Sequence, residues 1–296
     1  MKEYIFIIAA TLLFSVQFLF TKKYQTVAGT AIEAAFFHKM IAPGVFILIL
    51  FCYNHFEVHI TPFSLIISLA IATMYNCIMV FSLMALSRGS VANYSLYLLC
   101  GGMVLPVLYG AAIGDPFDIW KILSLILIMG AIAVKYDRNE KTDKRAYLCF
   151  AMLFFLNGLS ALLATVHQSP LFTFEKVSPV ELMMLNSVLT IGIGAIVFVL
   201  LAAKRRGQVN IKVYAKAAPW AMGEGILNGL ANLLLLLSLK TLAPSLQYPI
   251  VTGGSIFLSA VFGFAIYKEK IDKRIWLAVI LAITGTIVMA LGDLCF

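Results

Sequence analysis

Hydrophobic residues in this chain form long continuous runs, separated by short polar connections. Ten runs are long enough to cross the hydrocarbon core of a bilayer as helices, which takes about 20 mostly apolar residues. Their approximate bounds are 3–22, 31–53, 62–86, 90–112, 117–135, 146–166, 179–201, 214–239, 245–267 and 273–292. The pattern predicts an all-α polytopic membrane protein with ten transmembrane helices.

The composition supports this prediction. Hydrophobic residues make up 62% of the 296 positions and charged residues only 12%, against about 25% charged residues in an average soluble domain. One soluble core cannot hide that much apolar surface. The net charge of +8 does not indicate nucleic-acid binding, because the Lys and Arg residues lie in short clusters between the apolar runs. We expect an integral membrane protein of the bacterial cytoplasmic (inner) membrane, with no nucleic-acid partner.

The two halves of the sequence show an internal repeat. A constant offset in numbering aligns Asn76 with Asn228, Arg88 with Lys240, and Gly101-Gly102 with Gly253-Gly254. We therefore predict a first five-helix unit over residues 1–136, a polar linker over 137–144 and a second five-helix unit over 145–296. Because five is odd, the two units are expected to enter the membrane in opposite orientations, as a 5+5 inverted repeat. Such repeats place the binding site near the midplane, between the halves.

Several local patterns resemble a known transporter family. Lys39 is a basic residue in the second helix, and the stretch Ala85-Leu86-Ser87-Arg88-Gly89-Ser90-Val91-Ala92 leads into a glycine-containing fourth helix. The second half has a similar stretch at 238–245, followed by Tyr267-Lys268-Glu269-Lys270-Ile271. With the 5+5 arrangement, these features resemble the drug/metabolite transporter (DMT) superfamily, in its EamA-like branch. The resemblance implies a secondary transporter of small metabolites, often an exporter, with a central cavity.

Two acidic residues inside the predicted helices have a structural explanation. Thr30-x-x-Glu33 and Ser178-x-x-Glu181 lie at the starts of the second and seventh helices. Both have the spacing of a capping box, in which the hydroxyl and the carboxylate each accept a hydrogen bond from a free backbone amide. The same spacing in both halves is a further match between the repeats. We expect Glu33 and Glu181 to stabilise helix starts.

Glu224 has no such explanation. If the eighth helix starts near Lys216, Glu224 lies about 12 Å along it at 1.5 Å per residue. Asn228 and Asn232 follow at intervals of four and share its face. This polar stripe predicts a cavity lining, with Glu224 as a proton-coupling site or as the contact for a cationic group. A structural ion pair with Lys39, which is similarly deep, is the alternative; if both face the cavity, they could hold a zwitterion such as an amino acid.

Polar and aromatic side chains of the other helices are further candidates for the cavity lining. A single polar residue in a membrane helix more often makes an interhelical hydrogen bond, but both halves place polarity at matching depth. The candidates are Asn76, Tyr75, Tyr94, Tyr97, Gln247, Tyr248, Thr252, Gln17, Asn157 and His38.

The sequence gives no indication of an enzyme. No HExxH, GxSxG, Walker or GxGxxG motif lies in a suitable context, so we expect no catalytic residues and no cofactor. The five cysteines form no CxxC pair. His55-x-x-x-His59 lies in a predicted loop, where the two side chains do not share a helix face, and no metal site is expected.

The orientation of the termini stays open. Most Lys and Arg residues fall on the side of the membrane opposite the termini, so the positive-inside rule places both termini outside. The family resemblance implies that both are cytoplasmic.

Together, these features predict a secondary active transporter, with export as the expected direction, for a small polar metabolite such as an amino acid or an amine. The expected mechanism is alternating access between inverted repeats. The expected partners are the small-molecule substrate, the lipid bilayer and, if transport is coupled, protons; monomer and homodimer both stay open. The alternatives are a flippase for a lipid-linked substrate and a non-transporting membrane assembly partner, which would need no polar cavity.

Overall fold

The computed structural model describes residues 2–114, 118–134, 144–169, 173–205, 209–238, 244–269 and 272–295. It describes their side chains except at 2–3, 236, 244–249 and 292–295. These residues form ten helices, in agreement with the all-α prediction. The helices are α1 (Lys2–Ala28), α2 (Ile32–Tyr53), α3 (Pro62–Arg88), α4 (Val91–Ala112), α5 (Ile119–Val134), α6 (Lys144–Gln168), α7 (Pro179–Lys204), α8 (Ile211–Ser238), α9 (Pro244–Tyr267) and α10 (Lys273–Cys295).

Eight of the described helices are long and apolar enough to cross a membrane. The chain is therefore an integral membrane protein. Of the other two, α5 is apolar but has 16 residues. The remaining helix, α8, has 28 residues and carries Glu224, Asn228 and Asn232 within its apolar sequence.

Helices from the two halves of the chain pack against each other. α1 packs on α8 and α9, α2 on α7 and α8, α3 on α6 and α7, α4 on α6 and α9, and α5 on α10. Each of these contacts joins one of the first five helices to one of the last five. The interior of the bundle is thus built between the halves.

Two buried hydrophobic clusters stabilise this interface. The larger one includes Leu96 of α4, Leu153 of α6 and Ile256 of α9. The smaller one includes Tyr24 of α1 and Tyr214 of α8. The Tyr24 hydroxyl donates a hydrogen bond to the backbone oxygen of Ala34 at 2.6 Å, so even this buried polar group is satisfied inside the cluster.

Glycines bring helix backbones into contact at two crossings. A Cβ atom at Gly101 would overlap the backbone carbonyl of Phe154, where α4 crosses α6. A Cβ atom at Gly225 would overlap the backbone carbonyl of Ala42, where α8 crosses α2. Small residues allow such close approach between membrane helices.

The capping box expected at the start of α7 is confirmed. The Glu181 backbone N–H donates to Ser178 Oγ at 3.3 Å, and the Ser178 backbone N–H donates to Glu181 Oε2 at 2.9 Å. The other carboxylate oxygen, Oε1, accepts a hydrogen bond from the His59 backbone N–H at 3.0 Å and lies 2.5 Å from His59 Nδ1. One carboxylate therefore holds the α2–α3 connection against the start of α7.

This contact predicts a pH-dependent contribution to stability. The hydrogen bond and the negative charge of Glu181 raise the pKa of His59, which lies outside the apolar helices. A raised pKa in the folded state means that the contribution is complete below the unfolded value of about 6.5 and is lost as pH rises through the folded value. We expect the melting temperature of wild type to exceed that of His59→Gln at pH 6, and the difference to shrink by pH 9.

Melting curves of both proteins between pH 5.5 and 9 measure this difference. His55→Asn is the matched control, since His55 lies exposed in the same connection, and it should follow the wild-type profile. A constant difference between wild type and His59→Gln across this range would show that protonation of His59 does not stabilise the fold.

The capping box expected at Thr30 and Glu33 is wrong. The N-cap of α2 is Ala31, which makes no side-chain cap hydrogen bond. The helix thus begins one residue too late for Thr30 to cap it. Glu33 is buried, and its Oε1 lies 2.7 Å from Nη1 of Arg205, which follows the end of α7. Glu33 thus pairs with a residue that follows α7 instead of taking part in a cap of α2.

Glu269 links the α9–α10 connection to the start of α4. Its two carboxylate oxygens lie 2.9 and 3.1 Å from the backbone nitrogen of Val91, which donates to them. A carboxylate is favourable at a helix N-terminus, where backbone N–H groups are free. Burial raises the pKa of Glu269, while the Val91 N–H and the nearby Lys22 ammonium favour the charged form.

Candidate functional site

A cavity of about 320 Å³ lies between the two halves of the bundle. Tyr75 and Asn157 line it from near the middle of α3 and α6, and Glu224 does so from near the middle of α8. The cavity therefore lies at mid-depth in the bundle. The other lining residues are Phe14, Gln17, Phe18, Lys39, Ala42, Pro43, Phe46, Leu98, Leu99, Met183, Asn186, Ser187, Thr190, Gly225, Asn228 and Asn232.

Among the described residues that line the cavity, one is basic and one is acidic. Lys39 comes from α2 and Glu224 from α8. The Glu224 side chain is 14% exposed, and His38 Nε2 lies 3.9 Å from its Oε2. His38 itself is fully buried, with its ring edge-on to that of Tyr24 at 4.6 Å. A basic and an acidic side chain thus line the same cavity between the halves of the bundle.

Glu224 lies deeper along its helix than the sequence predicted. α8 begins at Ile211 instead of near Lys216, which places Glu224 about 20 Å from the helix start. The earlier start has a local cause, because Asn210 Oδ1 accepts a hydrogen bond from the Val213 backbone N–H at 3.3 Å. Lys212 and Lys216 point to the exposed side of the first turns. The added turn moves Glu224 to the middle of the helix.

Three carboxamides form a hydrogen-bonded row beside the charged residues. Asn232 Nδ2 donates to Asn228 Oδ1 at 2.8 Å, and Asn228 Nδ2 donates to Gln17 Oε1 at 2.8 Å. The row joins α8 to α1, which packs along it. These hydrogen bonds hold the three amide groups in place beside Glu224.

The structure brings together about half of the residues that the sequence indicated. Seven of them line the cavity: Gln17, Lys39, Tyr75, Asn157, Glu224, Asn228 and Asn232. They come from both halves of the chain. The side chains of Gln247 and Tyr248 lie outside the described residues.

The other candidates are not among the residues lining this cavity. Tyr94 is buried against Phe18, and its hydroxyl accepts a hydrogen bond from Ser82 at 3.2 Å. Tyr97 stacks on Phe150. Both side chains lie on α4, and the rotation of α4 about its axis directs them to the packed interior instead of the cavity.

Three more candidates, Asn76, Thr252 and His38, do not line the cavity themselves. Asn76 donates hydrogen bonds to the backbone oxygens of Ala72 and Thr190 at 3.0 and 3.2 Å. Thr252 is partly buried on α9. His38 is adjacent to the lining through its contact with Glu224.

Sequence reasoning missed one wall of the cavity, which α7 supplies. Asn186, Ser187 and Thr190 are its polar residues. The internal repeat could have indicated two of them, because the offset that aligns Glu33 with Glu181 also aligns His38-Lys39 with Asn186-Ser187. The aromatic lining residues, such as Phe14 and Phe46, carried no signal, because phenylalanine is common in all of these helices.

Comparison with known proteins gives a likeness of fold. No family model and no curated protein matches the chain. One solved structure, described as "Crystal structure of protein", is similar over 98% of this chain and 98% of its own, with a TM-score of 0.58 and 14% sequence identity. Similarity at that identity shows a shared arrangement of helices and carries no information on activity.

Proposed function

We propose that this protein is a secondary active transporter, of the DMT EamA-like type, that exports a small polar metabolite such as an amino acid or an amine. The observation that carries the proposal is the mid-depth cavity containing Lys39 and Glu224. Ionisable residues inside a membrane are costly and mark substrate or ion pathways. In an amino acid, the carboxylate would contact Lys39 and the ammonium group would contact Glu224. In an amine, the ammonium group would contact Glu224.

The packing of the helices supports an arrangement of two related halves. If the halves are related, each helix has an equivalent five places away in the other half, and each helix contact should have an equivalent contact. The contact of α1 with α8 then corresponds to that of α6 with α3, α4 with α6 to α9 with α1, and α2 with α8 to α7 with α3. All of these contacts occur. The contacts α2–α7, α4–α9 and α5–α10 map onto themselves. This correspondence fits a two-fold relation between units of five helices. Since five crossings reverse the chain direction, the units are inverted, and rocking one against the other gives alternating access.

The size and polarity of the cavity favour a small metabolite over the alternatives. Small-molecule sites have volumes of about 300–1,000 Å³, and this cavity lies at the lower end of that range. A lipid-linked substrate needs more room or a lateral opening. A non-transporting assembly partner would need no polar cavity, whereas this one is lined by Lys39, Glu224 and several carboxamides.

A melting-temperature screen of the purified protein tests this proposal. The panel contains amino acids, amines, quaternary ammonium compounds, sugars and nucleosides, each at pH 6 and pH 8. A ligand that binds only the folded state, present at a hundred times its dissociation constant, stabilises it by about 2.7 kcal/mol. We expect amino acids or amines to raise the melting temperature and sugars and nucleosides to leave it unchanged. Stabilisation by sugars or nucleosides alone, or by no compound, contradicts the proposed substrate class.

A further inference from the structure

Two helices that line the cavity, α2 and α7, run side by side in opposite directions. A Cβ atom at Gly44 of α2 would contact the Ile191 side chain of α7, and a Cβ atom at Gly194 would contact the Phe36 backbone oxygen. Positions further along α7 thus meet positions earlier in α2. The end of α2 therefore lies beside the start of α7, and the start of α2 beside the end of α7.

A carboxylate and a basic residue hold each end of this helix pair. At one end, Glu181 in the first turn of α7 accepts a hydrogen bond from the backbone N–H of His59, which follows α2, and contacts the His59 ring. At the other end, Glu33 in the first turn of α2 lies 2.7 Å from Arg205, which follows α7. We call these the His59 end and the Arg205 end. Each glutamate thus ties the start of its own helix to the segment after the other helix.

The two contacts correspond to each other in the internal repeat. Glu33 and Glu181 are the glutamates that the repeat aligns, one near the start of the second helix of each half. Each contacts a basic residue that lies beyond the end of the equivalent helix in the other half. Because α2 and α7 are both long enough to cross the membrane, the His59 end and the Arg205 end lie at opposite faces of it.

The two ends differ in burial. The Glu33 side chain is 2% exposed, and Ala34 of α2 and Phe198 of α7 are buried in the same hydrophobic cluster near it. The His59 side chain is 75% exposed. The buried cluster at the His59 end is small, comprising Val177, Leu182 and Leu185. Parting the helices at the His59 end therefore exposes less apolar surface than parting them at the Arg205 end.

We propose that the Glu181–His59 and Glu33–Arg205 contacts are the closures of the cavity at its two faces, and that transport opens them in turn. This inference rests on the proposed function, in which the cavity opens to one face at a time. Parting α2 and α7 at one end opens a path into the cavity, because both helices line it. None of these four described residues lines the cavity, so they act as positioning residues. The His59 end, with less to expose, opens more readily.

Labelling of a cysteine in the cavity tests the closures without a substrate. Leu99 is partly buried and lines the cavity from α4, which is neither of the helices that part. The reporter is the full chain with Leu99→Cys and with its five native cysteines replaced by Ala. A membrane-impermeant maleimide is added to right-side-out and to inside-out vesicles, each of which presents one face of the protein to the reagent.

One variant at each end should speed labelling from opposite faces. Glu181→Gln should speed it by about threefold or more from one face, the scale of a partly exposed charged contact. Gln still completes a capping box, so the start of α7 is preserved. Arg205→Gln should speed labelling from the other face by about tenfold or more, because Glu33 is left buried without its partner until water reaches it.

Three further proteins separate closure from loss of fold. Glu33→Gln combined with Arg205→Gln leaves no unpaired carboxylate at that end, so it should label more slowly than Arg205→Gln alone. Glu175→Gln and Lys204→Gln remove exposed charges from the segments next to each contact. Both should label as the reporter protein does.

The outcomes separate this inference from the proposed function. Faster labelling from both faces in each variant, from the same face in both variants, or in neither variant overturns the closures. The proposed substrate class is judged independently, by the melting-temperature screen. If the two ends respond as expected and no compound of the screen binds, the substrate class fails and the closures stand.

Discussion

Glu224→Gln should weaken binding of the charged substrate by about a hundredfold and abolish its coupled transport. In the proposed complex the Glu224 carboxylate pairs with the ammonium group of the substrate. Removing one partner of such a buried, hydrogen-bonded pair costs about 2–5 kcal/mol, and about 2.8 kcal/mol corresponds to a hundredfold. Gln has nearly the same size and shape as Glu, so the cavity stays filled to the same extent. The carboxamide lacks the charge that attracts a substrate ammonium group, and it cannot carry a proton as a carboxylate can.

Uptake of labelled substrate into proteoliposomes, with and without a pH gradient, measures this effect. Glu175→Gln is the control, since it makes the same chemical change in an exposed connection. It should transport as wild type does. If Glu224→Gln folds and keeps both its transport rate and the dependence of that rate on the pH gradient, Glu224 has no role in coupling.

Gly101→Ala should destabilise the bundle strongly. The added methyl group would overlap the Phe154 backbone carbonyl, and a backbone atom cannot move aside as the end of a side chain can. Overpacking of a closely packed interior costs about 1–3 kcal/mol. Ala by itself favours a helix over Gly by about 1 kcal/mol, so a net loss of stability requires the clash.

Melting temperatures in detergent compare this variant with Gly130→Ala. Gly130 lies on α5, where no described atom beyond the adjoining residues and backbone of α5 itself lies within 4 Å of the added carbon, and the same substitution there should be neutral or stabilising. Equal melting temperatures for the two variants would mean that α4 and α6 are not in backbone contact at Gly101.

The number and type of the helices could be predicted from the sequence for a simple physical reason. A helix that crosses hydrocarbon needs about 20 predominantly apolar residues, so a crossing is visible in the sequence as a long apolar run. The Ser178 cap was predictable because a capping box involves only residues three apart. Glu224 and Lys39 stood out because a charge within such a run is rare, and both line the cavity.

Because the helices are apolar on most of their surface, the sequence did not show how each helix is rotated about its axis and thus which side chains face the cavity. Tyr94 and Tyr97 are polar aromatic residues at a suitable depth, yet they face the packed interior. In a soluble helix the polar face would have revealed the orientation, but a helix surrounded by lipid and other helices shows little such contrast. For the same reason, Asn186 and Ser187 did not stand out from the run of α7.

The sequence by itself determined the class of protein, the ten helices and the rare charged residues at mid-depth, because these follow from the composition and length of each run taken separately. The tertiary structure decided which side chains share a cavity and that Glu33 pairs with Arg205 instead of taking part in a helix cap. These features depend on contacts between helices far apart in the chain. Such contacts are set by how the two halves pack together, which no single run of residues encodes.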